Sequence, residues 1–196
     1  MEYYHLELDS HGYFNELKQS AKKCHVDTLV LLSSATTSSQ VESINSFVSQ
    51  TVRDNPGCIG LGTMHYAYHD IKKEMKRIKE LGLKGLKLHA DFQNFKIDDE
   101  KMFTIYETAI ELELPILFHL GDKNTDHSSP KRMAKVLDRY PNLTVIGAHL
   151  GGVFMWDDSI KYLVGRNLYF DTSSVFDYIS EEEALSIMRS HVGFRV

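Results

Sequence analysis

Cysteine is scarce in this chain: Cys24 and Cys58 are the only two, and no CxxC spacing occurs. The plain reading is two buried or half-buried thiols in a reducing cytosol, and no disulfide framework is expected. No apolar run approaches the roughly 20 residues of a membrane span. The opening Met1-Glu2-Tyr3-Tyr4-His5 lacks the basic and apolar regions of a secretory signal, so a cytoplasmic location is expected and no membrane partner. Basic residues are not in excess: 22 Lys and Arg stand against 27 Asp and Glu, for a net charge of −5. No basic stripe stands out, which argues against a nucleic-acid partner. No GxGxxG follows the first predicted strand, no repeat or low-complexity tract appears, and no linker divides the chain. A single domain over residues 1–196 is expected.

What is present is enough for one sizeable core. The chain has 196 residues, 42% of them hydrophobic and 25% charged, and a chain of that length buries roughly 70% of its unfolded surface. Histidine is plentiful, at ten residues.

Short apolar runs alternate with helical periods along the whole sequence. Phe14, Leu17, Ala21 and Cys24 predict a helix from about Tyr13 to Lys23. Asp27 to Leu32 then reads as a buried strand. Val41, Ile44, Val48 and Val52 form the next stripe, ended by Asn55-Pro56-Gly57. The unit repeats. Strands are predicted at Cys58 to Met64, Gly85 to His89, Pro115 to Leu120, Leu143 to Ala148 and Leu168 to Asp171. Helices lie between them. Asp70 caps one and Gly82 stops it. Asp98 or Asp99 caps the next, Pro130 opens another, and one is expected over Asp158 to Leu163. Ser180 and Glu183 make a capping box. Phe194-Arg195-Val196 reads as the start of one more strand. This order predicts a parallel α/β sheet covered by helices, either an open doubly wound sheet or a closed eight-unit barrel. Six strands and a stub are too few for a closed barrel, so the prediction is an incomplete (β/α)8 TIM-barrel-like fold.

In such folds the reactive side chains sit at the carboxyl ends of the strands. Four strand ends here carry polar groups. His89 closes GLKLH, with Lys87 two residues earlier on the same face. His119 lies within PILFHLG, His149 follows VIGA, and Asp171 closes LYFD. One histidine at a strand end is usually a satisfied or exposed residue. Three on successive parallel strands point to one pocket, and neutral imidazole is a common zinc ligand. His5, His25, His65, His69, His127 and His191 read as ordinary helix or loop histidines, and Phe92, Phe95 and Trp156 as possible rim aromatics.

The segments GLKGLKLHADFQNFKIDD, LPILFHLGD, PNLTVIGAHLGG and NLYFDTSS, in this order and spacing, resemble the amidohydrolase-related family. They are most similar to its branch of metal-dependent hydrolases and decarboxylases resembling aminocarboxymuconate semialdehyde decarboxylase. The resemblance implies a distorted β/α barrel that binds a divalent metal, zinc by expectation. It implies His119 as a metal ligand, and His149 as a ligand or as the group that orients or deprotonates the attacking water. Asp171 and Lys87 join His149 as expected catalytic groups, and His89 is expected to touch substrate. The implied activity is hydrolysis of a small carboxylate, amide, ester or lactone. The alternatives are decarboxylation in the same family, or a non-catalytic scaffold. The family's first strand carries a His-x-His pair, and this chain has none. Its nearest segment, Asp9-Ser10-His11-Gly12-Tyr13, reads as a loop. The family's final strand with its Asp is also missing, so truncation at both ends and a metal held weakly or not at all are expected. Open sheet edges would then invite pairing with a second copy. Self-association, or a rearranged sheet, is the expected result in sedimentation velocity; a clean monomer with a cooperative melt counts against it.

Overall fold

In the computed structural model of the chain, residues 11–191 are described. The strand start expected at Phe194–Val196, and His5, lie outside the described residues. The strands are β1 (Leu29–Leu31), β2 (Cys58–Gly60), β3 (Gly62–Thr63), β4 (Leu86–Leu88), β5 (Ile116–Phe118), β6 (Val145–Gly147) and β7 (Tyr169–Phe170). The helices are α1 (Phe14–Lys23), α2 (Val41–Asp54), α3 (Ile71–Glu80), α4 (Ala90–Gln93), α5 (Phe103–Glu111), α6 (Pro130–Arg139), α7 (Trp156–Tyr162) and α8 (Glu181–Ser190). Short 3₁₀ turns precede α2 and α5 and follow β6.

All neighbouring strands pair in parallel and in chain order. β2 and β3 are halves of one strand. Between them Leu61 donates to the Leu31 carbonyl at 2.9 Å, and Gly62 donates to the Gly85 carbonyl at 2.9 Å. The sheet is therefore a six-membered arc, the parallel α/β frame of an incomplete barrel. Its outer members, β1 and β7, each have one partner among the described residues.

Most boundaries follow the local chemistry. Asp70 accepts from the Lys73 amide at 3.1 Å to start α3, and Ser180 and Glu183 make the reciprocal cap of α8. Pro130 occupies the first turn of α6, where its missing N–H costs nothing. α7 begins at Trp156, two residues before the predicted Asp158. The one-turn helix α4 has no counterpart in the periodicity reading, because four residues are too few to show a stripe.

The two faces of the arc differ sharply. Leu86, Leu88, Ile116, Phe118 and Val145 are fully buried under α3, α5 and α6, with Met75, Ile78, Ile105, Tyr106 and Met133 opposite them. The other face is half open: Val30, Ile59 and Tyr169 are 50%, 39% and 39% exposed. No helix among the described residues is long and apolar enough to cross a membrane.

One glycine holds the loop after β5 against the loop after β6. Gly121 has φ +83°, and a Cβ there would meet the Val153 carbonyl oxygen at 2.2 Å and the Val153 nitrogen at 2.6 Å. Gly121→Ala is expected to destabilise the fold by about 3 kcal/mol, from left-handed strain plus overpacking against backbone. A lower urea midpoint at unchanged m would register it; an unchanged midpoint would mean that the two loops do not pack so closely.

Candidate active site

Register decides which residues meet. Thr63 pairs with Lys87, Lys87 with Leu117, Leu117 with Ile146, and Ile146 with Tyr169. Side chains alternate along a strand, so this row and its neighbours two residues on share the inner, half-open face. Lys87, His89, His119 and Asp171 all fall on it. Thr63 stitches the row together: its hydroxyl accepts from the Ala35 amide at 3.1 Å and donates to the Lys87 carbonyl at 3.2 Å.

His149 has the wrong parity. Gly147 lies on the helix side and Ala148 on the inner side, so an extended chain would turn residue 149 away. The backbone instead becomes left-handed for three residues, at His149 (φ 61°), Leu150 (φ 51°) and Gly151 (φ 81°). That turn brings the ring to His119, with Nε2 of His149 3.0 Å from Nδ1 of His119. Such conformations cost about 1–2 kcal/mol each for a non-glycine residue. They cluster here: of seven non-glycine residues at positive φ among the described residues, His149, Leu150, Phe154 and Ser174 all lie in the loops after β6 and β7.

Asp171 supplies one anchor. Its Oδ1 accepts from the His149 amide at 2.9 Å, the Ser173 amide at 3.0 Å and the Ser173 hydroxyl at 2.6 Å. Nδ1 of His149 lies 2.7 Å from the Ser173 carbonyl oxygen. A carbonyl only accepts, so Nδ1 carries the proton. In neutral His149 the Nε2 lone pair therefore faces His119, whose Nδ1–H donates to it.

Two partners, Asp91 and Gln93, escaped the sequence reading, and a third, Phe92, was expected only at the rim; all three lie on α4. Asp91 reaches back toward His89, its Oδ2 3.8 Å from Nδ1. It also accepts from the Ser128 hydroxyl at 2.6 Å and the Thr125 hydroxyl at 2.5 Å. Phe92 stacks on His89 with centroids 3.7 Å apart, and its amide donates to Nδ1 of His89 at 3.4 Å. Gln93, 2% exposed, accepts the His89 amide at 2.9 Å and donates to the Ala35 and Met64 carbonyls at 2.8 Å each. The motif HADFQ held all three, but only a helix beginning at Ala90 folds them back on His89. Of the other aromatics, Phe95 is in the core, and the indole N–H of Trp156 donates to the His149 carbonyl at 2.9 Å. His11 is an exposed loop residue whose ring bonds Glu16.

Burial dominates the electrostatics. It pushes His89 down to about 3, helped by the charges of Lys87 and His149. It pushes His119 down to about 2, helped by His89, His149 and Lys87. His149 is also lowered by burial, against the opposing Ser173 carbonyl and Asp171 carboxylate. Lys87 is lowered to about 8 by burial, with Asp171 pulling the other way. Asp91 is raised by burial, against its hydroxyl donors. At neutral pH the three imidazoles are uncharged, so the close approach of His89 to Asp91 is not an ion pair.

Two electron-pair donors facing each other suit a cation. Ligand atoms of His89, Asp91 and His119 all lie within 4.8 Å of one another, and two imidazoles with a carboxylate form a donor set that zinc and manganese accept. The His89 and His119 rings stack at 3.9 Å and 10°, so one of them must turn before both lone pairs meet one ion. The metal group thus pairs His119 with His89 and Asp91. His149, expected as a ligand from sequence, is hydrogen-bonded to His119 beside that group.

A parallel β/α arc with imidazoles and a buried lysine at its strand ends defines a partial TIM-barrel protein with a candidate metal site. The chain belongs to the amidohydrolase family, whose model matches residues 34–192. It is 27% identical over 134 residues to 2-amino-3-carboxymuconate-6-semialdehyde decarboxylase of Dictyostelium discoideum, a match covering 57% of this chain and 37% of that protein. Among solved structures it resembles a TIM-barrel protein from Bordetella bronchiseptica, with TM-score 0.70, 15% identity, and 90% of this chain against 64% of that one. It also resembles 5-carboxyvanillate decarboxylase from Novosphingobium aromaticivorans with bound manganese, with TM-score 0.70, 14% identity, and 90% of this chain against 67% of that one. The chain thus spans little more than a third of the curated relative it matches.

The lowered imidazoles set the acid stability of the metal-free protein. An imidazole in the unfolded chain titrates near about 6.5, whereas His89 and His119 stay neutral in the fold down to about 3 and about 2. Below about 6.5 the unfolded chain binds more protons, so stability is full above that pH and falls toward the folded values. The slope is about 1.4 kcal/mol per pH unit for each imidazole. Denaturant titrations at pH 7 and pH 5 should show this loss, and His119→Gln should flatten it; equal stability at the two pH values would mean that the rings are not desolvated.

Proposed function

We propose that this chain forms the acid-binding and proton-transfer face of a metal-dependent hydrolase acting on a small carboxylate-bearing amide, ester or lactone. The observation that carries the reading is Lys87. It is 8% exposed, and among the described residues no hydrogen bond or ion pair holds its ammonium. The opposing charge that acts on it, Asp171, spends Oδ1 on His149 and Ser173. A buried cation without a counter-ion invites an anionic group, and a substrate carboxylate supplies one. His149 then acts as a base through its Nε2 lone pair once the His119 ring, whose Nδ1–H occupies that lone pair at rest, turns away. It takes the proton of a water whose oxygen attacks the substrate carbonyl, and returns that proton to the leaving oxygen or nitrogen. Asp171 holds the backbone of His149, and the Ser173 carbonyl stabilises its protonated ring. His89, Asp91 and His119 would hold a divalent ion, whose contribution is Lewis-acid polarisation of water or carbonyl.

A second reading is favoured by two relatives, the Dictyostelium and Novosphingobium proteins, both decarboxylases. In that reaction the carbon–carboxylate bond breaks, CO₂ leaves, and the protonated ring of His149 gives its proton to the carbon. One experiment separates the two. Carboxylate-bearing esters, lactones and conjugated acids are incubated with the protein and Mn²⁺ or Zn²⁺, and released acid and released CO₂ are measured separately. Metal-dependent turnover is expected, and Lys87→Met should lower kcat/KM on the order of 100-fold for acids through loss of a charge-assisted contact, while leaving neutral esters unaffected. No metal-dependent turnover of any acid, or an unimpaired Lys87→Met protein, would remove the reading.

A further inference from the structure

We propose that Trp156 and Ser159, on the first turns of α7, are positioning residues that hold His149 in its left-handed turn. Strand alternation would aim residue 149 toward the helices, and only the turn through His149, Leu150 and Gly151 brings its ring to His119. Each strained residue offers its carbonyl to α7. The Trp156 indole N–H donates to the His149 carbonyl at 2.9 Å, and the Ser159 hydroxyl donates to the Leu150 carbonyl at 2.6 Å.

The geometry leaves the clamp little room to slip. Ser159 is fully buried, and a Cβ on Gly151 would stand 2.6 Å from its hydroxyl oxygen. The opposite side of the turn is fixed from β7, where the Asp171 carbonyl accepts the Leu150 amide at 2.8 Å and its carboxylate accepts the His149 amide. The turn is thus gripped by its amides from one strand and by its carbonyls from one helix. The Trp156 ring lies 6.4 Å from that of Tyr178, so the indole keeps a packing role that a phenyl ring would retain.

The placement of His149 stands on this geometry, whereas its use as a base rests on the functional reading above, so the two are tested apart. The test reads the imidazole N–H signals of the metal-free 196-residue chain in ¹⁵N-edited spectra. In the unaltered protein His149 should show a proton on Nδ1 protected from solvent exchange, bonded to the Ser173 carbonyl. Trp156→Phe and Ser159→Ala should each lose that protected signal while far-UV dichroism and amide dispersion remain native, and Ser159→Cys should lie between. If Ser159→Ala fails to fold, Trp156→Phe carries the test alone. A folded Trp156→Phe protein that keeps the protected Nδ1 proton overturns the proposal. An inactive protein with the expected spectra would remove the functional reading and leave the clamp in place.

Discussion

The site depends on a mismatch between strand alternation and the position of one histidine. Parallel pairing delivers Lys87, His89, His119 and Asp171 to one face with no special device, because residues two apart on a strand share a side. His149 is one residue out of phase. Its hydrogen bond to His119 exists only because the chain leaves extended geometry immediately after β6. Two consecutive left-handed non-glycine residues cost about 2–4 kcal/mol together. Each net hydrogen bond returns about 1 kcal/mol, and those from Asp171, Trp156 and Ser159 offset the cost. Strain of this kind, concentrated in two facing loops, persists because the bonds on both sides of the turn over-determine it.

The second constraint is desolvation. Three imidazoles, a lysine and two carboxylates share a small region at the strand ends, and burial lowers every one of the four basic groups. Uncharged imidazoles around Lys87 do not repel it, yet they do not neutralise it either. The positive field therefore persists where the inner face of the arc is open. An anion entering there exchanges water for an ammonium that has already lost most of its own hydration, which makes the contact worth more than the same pair at the surface. A cation among His89, Asp91 and His119 would meet the opposite environment, a set of uncharged or anionic donor atoms within 4.8 Å of one another. Under the proposed reading the two ligands would be sorted by sign over a short distance, through burial rather than through rows of formal charge.

The alternating pattern was legible because parallel strands covered by helices leave continuous apolar runs. LVLL, PILF and TVIGA each mark a strand without any knowledge of neighbours. The convergence of His89, His119, His149 and Asp171 was equally legible, since strand ends in a parallel sheet lie together. Asp91 and Gln93 were not. Their importance arises from a four-residue helix that reverses direction directly after β4, and neither its stripe nor its cap rises above the background of the sequence. The off-phase position of His149 was available by counting from Gly147. Its remedy was not, because a left-handed turn at a histidine and a leucine has no compositional signal; only the Gly151-Gly152 pair hinted at one. The exposed inner residues Val30, Ile59 and Tyr169 read as buried strand positions, and their exposure follows from the arc being open, a property of the assembled sheet rather than of any one segment.

Openness also explains why the positioning devices are so numerous. In a closed barrel, layers of interior side chains pin each strand end from all sides. Here the inner face carries no such filling at Val30 and Ile59, so the strand ends are held from the loops instead. Gln93 ties the loops after β1 and β3 to His89, Thr63 ties β3 to β4, and Asp91 ties α4 to the loop after β5. Apart from the local contact between His89 and Gln93, each bond joins elements distant in the chain, and each involves a side chain that is largely withheld from water. Removing one would leave a buried polar partner unsatisfied, a loss larger than that of the bond itself. The strand ends beneath the imidazole cluster are therefore held by local bonds, independent of what covers the open side of the arc.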